Sequence, residues 1–356
     1  MRIACLGGGP AGLYFAISMK LHDPSHEMVI ERNRADDTFG WGVVLSDETL
    51  DNLAANDPVS AERIREHFAY WDDIAVVHKG VRTVSTGHGF CGIGRRQLLI
   101  LLQERARELG VEMRFETDIT EASIEQLRRE YGLVLAADGL NSRTRHIRGS
   151  AWINFPRVLC ERWSYENVVL MGDAAATADF SIGSGSKLAL ESAIALANYL
   201  HSESSMQAAV ARYEEDRRFE VLRLQSAARN STEWFEQIER YLDLNPVQFN
   251  YSLLTRSQRI SHENLRVRDP NWLESAERWF QTQAGNPGSA RAPMFAPYQL
   301  RDMTLVNRVV VSPMAQYKAV DGCPTDWHFS HYTERAKGGA GLVYTEMTCV
   351  SPSGRI

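Results

Sequence analysis

The chain has 356 residues, 44% apolar and 24% charged, with a net charge of −6. At roughly 150 residues per domain this suits about two domains with buried cores. The acidic balance and the lack of a basic stripe argue against a nucleic-acid partner. No apolar run reaches the ~18 residues that a membrane span needs, and no secretory signal precedes the first apolar run. The five cysteines (Cys5, Cys91, Cys160, Cys323, Cys349) are scattered, with no C-x-x-C pair. That pattern argues against a structural zinc or a disulfide framework and fits a reducing cytoplasm.

Residues 2–7 read as a short buried strand, followed by a glycine-rich turn and a helix to about Leu21. Residues 27–32 read as a second strand, which makes a βαβ opening. Between the strands, Gly7-Gly8-Gly9-Pro10-Ala11-Gly12 fits G-x-G-x-x-G in the setting that the motif requires. Gly7 permits the tight turn, Gly9 lets a pyrophosphate approach the backbone, and Gly12 lets the helix pack closely. Pro10 and Ala11 start the helix whose N-terminus faces the phosphate charge. Glu31 ends the second strand, placed to accept hydrogen bonds from a ribose, with Arg32 beside it. An ordinary glycine turn is the bland alternative, and the motif alone does not choose between FAD and NAD.

Further along, 95–109 has helical spacing and stops at Gly110, while 111–116 and 133–137 read as strands. The latter leads into Asp138-Gly139. Residues 168–171 form another strand leading into Gly172-Asp173, and a helix covers about 184–200. From 206 to 242 the pattern is helical and charged, and Leu222, Trp234, Phe235, Ile238 and Leu242 are expected to line one packed face. Residues 284–293 have the composition of a linker. Beyond it, 309–311 and 341–345 read as strands around a helix over 326–337, a βα unit of barrel type. His328 and His331 are spaced i, i+3, but without a Cys or acidic partner in motif spacing they read as packing.

Asp138-Gly139 and Gly172-Asp173, each after a strand, resemble the D-G and G-D motifs of the FAD-dependent aromatic hydroxylases. Arg95, with Leu98 and Leu102 at helical spacing, resembles that family's arginine-bearing helix. The runs Gly40-Trp41-Gly42-Val43-Val44-Leu45 and Phe180-Ser181-Ile182-Gly183-Ser184-Gly185 are similar to those of its aryl-CoA members. The similarity covers about 1–149 and 157–280. It implies that Asp173 holds the ribityl chain, that Arg95 neutralises pyrophosphate charge, and that Asp138 lies near the FAD. A helix starting near Gly183–Gly185 would aim its positive end at the flavin. The implied reaction is hydroxylation of a small aromatic substrate, an aryl-CoA thioester, with NAD(P)H and O2 through a flavin C4a-hydroperoxide.

The interval between Gly139 and Gly172 is short for that family, and Arg148 to Phe155 looks like a join. A second reading therefore stays open: a catalytically impaired flavin-binding remnant, or a truncated gene product, with NAD(P)H oxidase activity alone. A plain NAD-dependent dehydrogenase is a third. From Pro297 to Ile356 the chain resembles the start of an old yellow enzyme, whose Ser-Pro-Met segment lies against FMN. This places Pro313, Met314 and Ala315 as flavin contacts. A (β/α)₈ barrel needs about 250 residues, so FMN is expected in an intact parent of this piece, and the piece itself is expected to be poorly ordered or docked on the first domain.

The expected fold is α/β: a Rossmann-type FAD-binding domain over 1–200 with a reduced substrate domain, and a helical extension over 201–283. A linker at 284–296 and an incomplete (β/α) barrel fragment at 297–356 complete it.

Overall fold

The computed structural model describes residues 1–23, 27–35, 37–38, 42–139, 157–178 and 180–354. The expected join at 148–155 and the motif residues Gly40 and Trp41 lie outside this set. The chain divides into two compact units. One holds 1–74, 87–242 and 256–259; the other holds 75–86, 243–255 and 260–356.

The first unit is built on a six-stranded sheet. Its order is Ser164–Tyr165, Val168–Leu170, Leu133–Ala136, Ile3–Leu6, Glu27–Ile30 and Glu112–Arg114. All neighbours run parallel except the edge strand Ser164–Tyr165. Ile3–Leu6 and Leu133–Ala136 are buried throughout, as expected of parallel strands covered on both faces. The helix Pro10–His22 packs against Arg95–Glu108 and Gly185–Ser202 on one side of this sheet. On the other side, Leu127 and Tyr131 pack with Met28, Ile30, Val134 and Val168.

A second, antiparallel sheet has the order Gly42–Leu45, Phe90–Gly94, Ala69–Trp71. Val43, Leu45, Cys91 and Ile93 share one face and belong to the core. Nearby, Asp57 is 1% exposed and binds Arg105 in a two-pronged pair, Oδ2 to Nε at 2.9 Å and Oδ1 to Nη2 at 3.0 Å. The same carboxylate caps the helix Pro58–Glu66 through Ser60. Burial pushes the Asp57 carboxyl up, but Arg105 and Ser60 together outweigh it and hold it below its usual range.

The long helix Met206–Glu236 corrects one expectation. Leu222, Phe235 and Leu242 are 45%, 43% and 46% exposed, while Trp234 is buried. The buried stripe runs Val210, Tyr213, Arg217, Val221, Leu224, Ala228, Ser231. Steps of three and four fix that phase, and Leu222 sits one residue, about 100°, beyond the buried Val221. Phe235 keeps the phase of the stripe, four residues after Ser231, and lies in the helix's last turn. Ile238 is half-buried, past the end of the helix at Gln237.

The second unit contains the strand Val81–Ser85 and the helices Pro246–Thr255, His262–Arg268 and Pro270–Gln283. Asp269 caps the last of these through Trp272 N–H and also accepts from Thr86 N–H at 2.7 Å. The segment expected as a linker is tied back onto that helix. Asn286 N–H donates to Gln281 O at 2.9 Å, and Gln281 Nε2 donates to Arg291 O at 3.2 Å. Accordingly the compact units divide elsewhere than at 284–296.

After it come a hairpin, Tyr298–Leu300 with Met303–Leu305, and a parallel pair, Val310–Val311 with Leu342–Val343. The helix Asp326–Lys337 joins the parallel strands. Regular elements therefore occupy the stretch expected to be poorly ordered or docked on the first domain. His328 accepts from Thr325 N–H through Nδ1 at 2.9 Å and meets Glu346 through Nε2 at 2.7 Å, and His331 stacks on Trp327.

Candidate functional site

A cavity of about 700 Å³ lies in the first unit. Three helices begin at its wall. Gly9, Pro10 and Ala11 come from the start of Pro10–His22, Arg95 from the start of Arg95–Glu108, and Gly183, Gly185 and Ser186 from the start of Gly185–Ser202. Among the described residues, none of these helices has a side-chain cap. Each therefore presents backbone N–H groups without an intrahelical acceptor, and the positive end of its dipole, to one space.

The glycines divide into two kinds. Gly7 and Gly12 close the turn. Gly7 has φ +117°, and a Cβ there would lie 2.2 Å from Ala137 O; a Cβ on Gly12 would lie 2.1 Å from Gly7 O. Gly9, Gly139, Gly183 and Gly185 are the reverse, since a Cβ on any of them would meet no atom within 4 Å. Bare backbone facing open space is the shape of a cradle that a ligand's charged backbone can approach closely.

Glu31 is fixed beside this turn. Its Oε2 accepts from Gly8 N–H at 2.7 Å, and its Oε1 accepts from Asn33 N–H at 2.9 Å and Asn33 Nδ2 at 2.7 Å. Its neighbour Arg32 is exposed and is not part of the cavity wall. Asp138 is half-buried between Ala137 and Gly139, both of which line the cavity. Gly172 and Asp173 form a single 3₁₀ turn on the wall, with Asp173 exposed. Thus Gly9, Pro10, Ala11, Arg95, Gly172, Asp173, Gly183 and Gly185 come together around one space. Gly7, Gly12, Glu31 and Asp138 do not line it; Gly12 closes against Gly7 O and Glu31 holds Gly8 N–H. Pro313, Met314 and Ala315 are exposed in the second unit and belong to no part of this wall.

Part of the wall has no motif. Gln225, Arg229, Thr232, Glu233 and Glu236 come from the long helix. Gln225 is held by donating Nε2 to Val158 O and Thr177 O, both at 2.7 Å, and Arg229 pairs with Glu233 at 2.7 Å. Their spacing is a second stripe on the helix whose first stripe is core, which is the available sequence signal. Arg157 adds another cation.

A salicyloyl-CoA 5-hydroxylase from Streptomyces sp is 32% identical, with 84% of this chain and 78% of the relative aligned. The chain belongs to the FAD-dependent aromatic hydroxylases. Within that family's known structures, the tetrameric form of 2-methyl-3-hydroxypyridine-5-carboxylic acid oxygenase shares the fold. It has a TM-score of 0.55 and 16% identity, over 76% of this chain and 98% of that one. The hydroxylase likeness is joined by another at the far end of the sequence. Residues 293–356 match the NADH:flavin oxidoreductase / NADH oxidase family. An NADPH dehydrogenase of Listeria welshimeri is 52% identical there over 65 residues, which is 18% of this chain and 19% of the dehydrogenase. Both likenesses point to a flavin cofactor. No helix among the described residues is long and apolar enough to cross a membrane.

Proposed function

We propose that the cavity of the first unit holds FAD and that the chain is an NAD(P)H- and O2-dependent monooxygenase of a small aromatic substrate, an aryl-CoA thioester. The observation that carries this reading is the convergence of three uncapped helix N-termini and four open glycines on one cavity. Such a wall suits a long, doubly anionic ligand with a diphosphate at its centre. Gly9, Pro10 and Ala11 would take the diphosphate, with Arg95 supplying a full positive charge. Glu31 keeps lone-pair capacity for a ribose hydroxyl after binding Gly8 and Asn33. Asp173 would accept from hydroxyls of the flavin's sugar chain, and the helix at Gly185 favours negative charge on the ring. When bound, FAD takes electrons from NAD(P)H and activates dioxygen for insertion into the aromatic ring. The chain's own part is to hold, orient and desolvate the partners.

The aryl-CoA class rests on the Streptomyces relative, whose name gives its substrate as salicyloyl-CoA. FMN is proposed for a complete barrel of the second kind, where Pro313, Met314 and Ala315 would meet it. The alignment itself favours a second reading. It runs over 409 positions, yet 84% of 356 residues is about 299, so about 110 positions of the relative face no residue of this chain. Loss of substrate wall among those positions would admit water to the flavin and let NAD(P)H oxidation run without ring hydroxylation.

One experiment separates the two. The purified protein is reconstituted with FAD, and NADH and NADPH oxidation are followed with and without salicyloyl-CoA, with products separated by chromatography. A hydroxylated thioester supports the monooxygenase. Peroxide alone supports the remnant. Failure to retain FAD refutes both.

A further inference from the structure

The antiparallel sheet of the first unit has a core face and an outward face. By register and alternation, Gly42 and Val44, Phe90, Gly92 and Gly94, and Ala69 and Trp71 share the outward one. On this face Trp71 lies flat. Its indole covers Gly92 so closely that a Cβ there would be 3.1 Å from Cη2 and from Cζ3. Phe90 backs it, with ring centroids 5.6 Å apart and planes 26° from parallel. The loop beneath is fastened, since Asp72 accepts from Gly89 N–H at 2.8 Å and from Gly87 N–H at 3.3 Å.

Trp71 is nevertheless 41% exposed. The indole's far edge lies over Gly92, and Gly92 pairs directly with Val44, which lines the cavity and is itself 40% exposed. Paired residues on adjacent strands are about 5 Å apart. Trp71, Phe90 and Gly92 are not themselves part of the cavity wall; by register the indole's far edge reaches the residue opposite Val44, at the cavity's rim.

We propose that Trp71 is a positioning residue for the substrate, a platform at the cavity rim on which the substrate's planar ring stacks, with Gly92 retained so that the indole can lie down. This rests on the reading above that the cavity holds a flavin acting on an aromatic compound. The platform selects planarity, so its signature is a preference for an aromatic ring over a saturated one of similar size.

The test uses the full chain, with FAD content recorded for every preparation. Salicyloyl-CoA and cyclohexanecarbonyl-CoA are titrated by calorimetry; they share the CoA, so the ratio of their affinities isolates the ring. Trp71→Leu is expected to weaken salicyloyl-CoA by ~3- to 10-fold and to leave cyclohexanecarbonyl-CoA unchanged. Trp71→Phe should restore most of the loss. Gly92→Val, which lifts the indole without removing it, should reproduce it. Tyr70→Leu, in the same strand on the opposite face, should change neither. Equal loss for both thioesters, no loss for either, or no binding of salicyloyl-CoA to FAD-loaded protein overturns the platform. If the protein takes up no FAD, the flavin reading fails, while tryptophan fluorescence of wild type against Trp71→Phe still reports whether the aromatic thioester reaches the indole.

Discussion

Gly9→Ser separates the cofactor site from the fold. Gly9 is the N-cap of Pro10–His22 with φ −78° and ψ −179°, a region open to any residue. A Cβ there meets nothing within 4 Å. Serine is also a better N-cap than glycine, by a few tenths of a kcal/mol. The free protein should therefore melt at the wild-type temperature or slightly above it. On the proposed binding mode the added atoms would nonetheless occupy the space through which a diphosphate reaches the backbone. Overpacking of a tight contact costs about 1–3 kcal/mol, which is roughly a 5- to 150-fold rise in Kd. Gly12→Ala provides the contrast. Its Cβ would sit 2.1 Å from Gly7 O, a backbone atom that cannot swing aside, so stability should fall even without ligand. The assay is a flavin-fluorescence titration beside a circular-dichroism melt of each cofactor-free variant. Gly9→Ser binding FAD as tightly as wild type would refute the assignment of this turn to the phosphates.

Arg95→Gln should weaken FAD binding by about 1.5–3 kcal/mol, the worth of a charge-assisted hydrogen bond, and should flatten the salt dependence of the titration; an unchanged salt slope would count against a phosphate contact. Arg105→Met strands the buried Asp57 carboxylate and should cost about 3–5 kcal/mol in urea unfolding. Because the folded Asp57 is held below its usual range, its contribution is complete above its unfolded value near pH 4 and disappears as pH falls through the folded value. Asp57→Asn should therefore flatten the acid limb of the stability curve, and a limb as steep as wild type would be the contrary result. In the second unit, a Cβ on Gly341 would lie 2.3 Å from Asn307 O. Gly341→Ala should raise hydrogen exchange around Val310–Val311 and Leu342–Val343 while leaving FAD affinity intact.

The parts of the site that sequence could disclose are those made by consecutive residues. The proposed phosphate cradle is one turn of backbone, so Gly7 to Gly12 mark it by spacing, and a strand end carrying Gly172-Asp173 marks its part of the wall in the same way. The fold around them was legible for a related reason: strands such as Ile3–Leu6 and Leu133–Ala136 are apolar on both faces wherever a sheet is covered twice. Gln225, Arg229 and Trp71 are different. Nothing in their neighbourhood along the chain marks them, because their surroundings are set by which side of a helix meets the sheet and by which residue of Phe90–Gly94 pairs with Ala69–Trp71. The same blindness misplaced Leu222. An apolar residue carries no statement of phase by itself. On a 31-residue helix with charges on every side, two stripes one residue apart fit the composition equally well, and packing against Gly185–Ser202 decides between them. Once that packing has set the core stripe, Gln225, Arg229, Thr232 and Glu236 fall together on the neighbouring one. The polar wall of the cavity thus follows from how the apolar stripe is buried, and a substitution that shifts the helix register would move the wall with it.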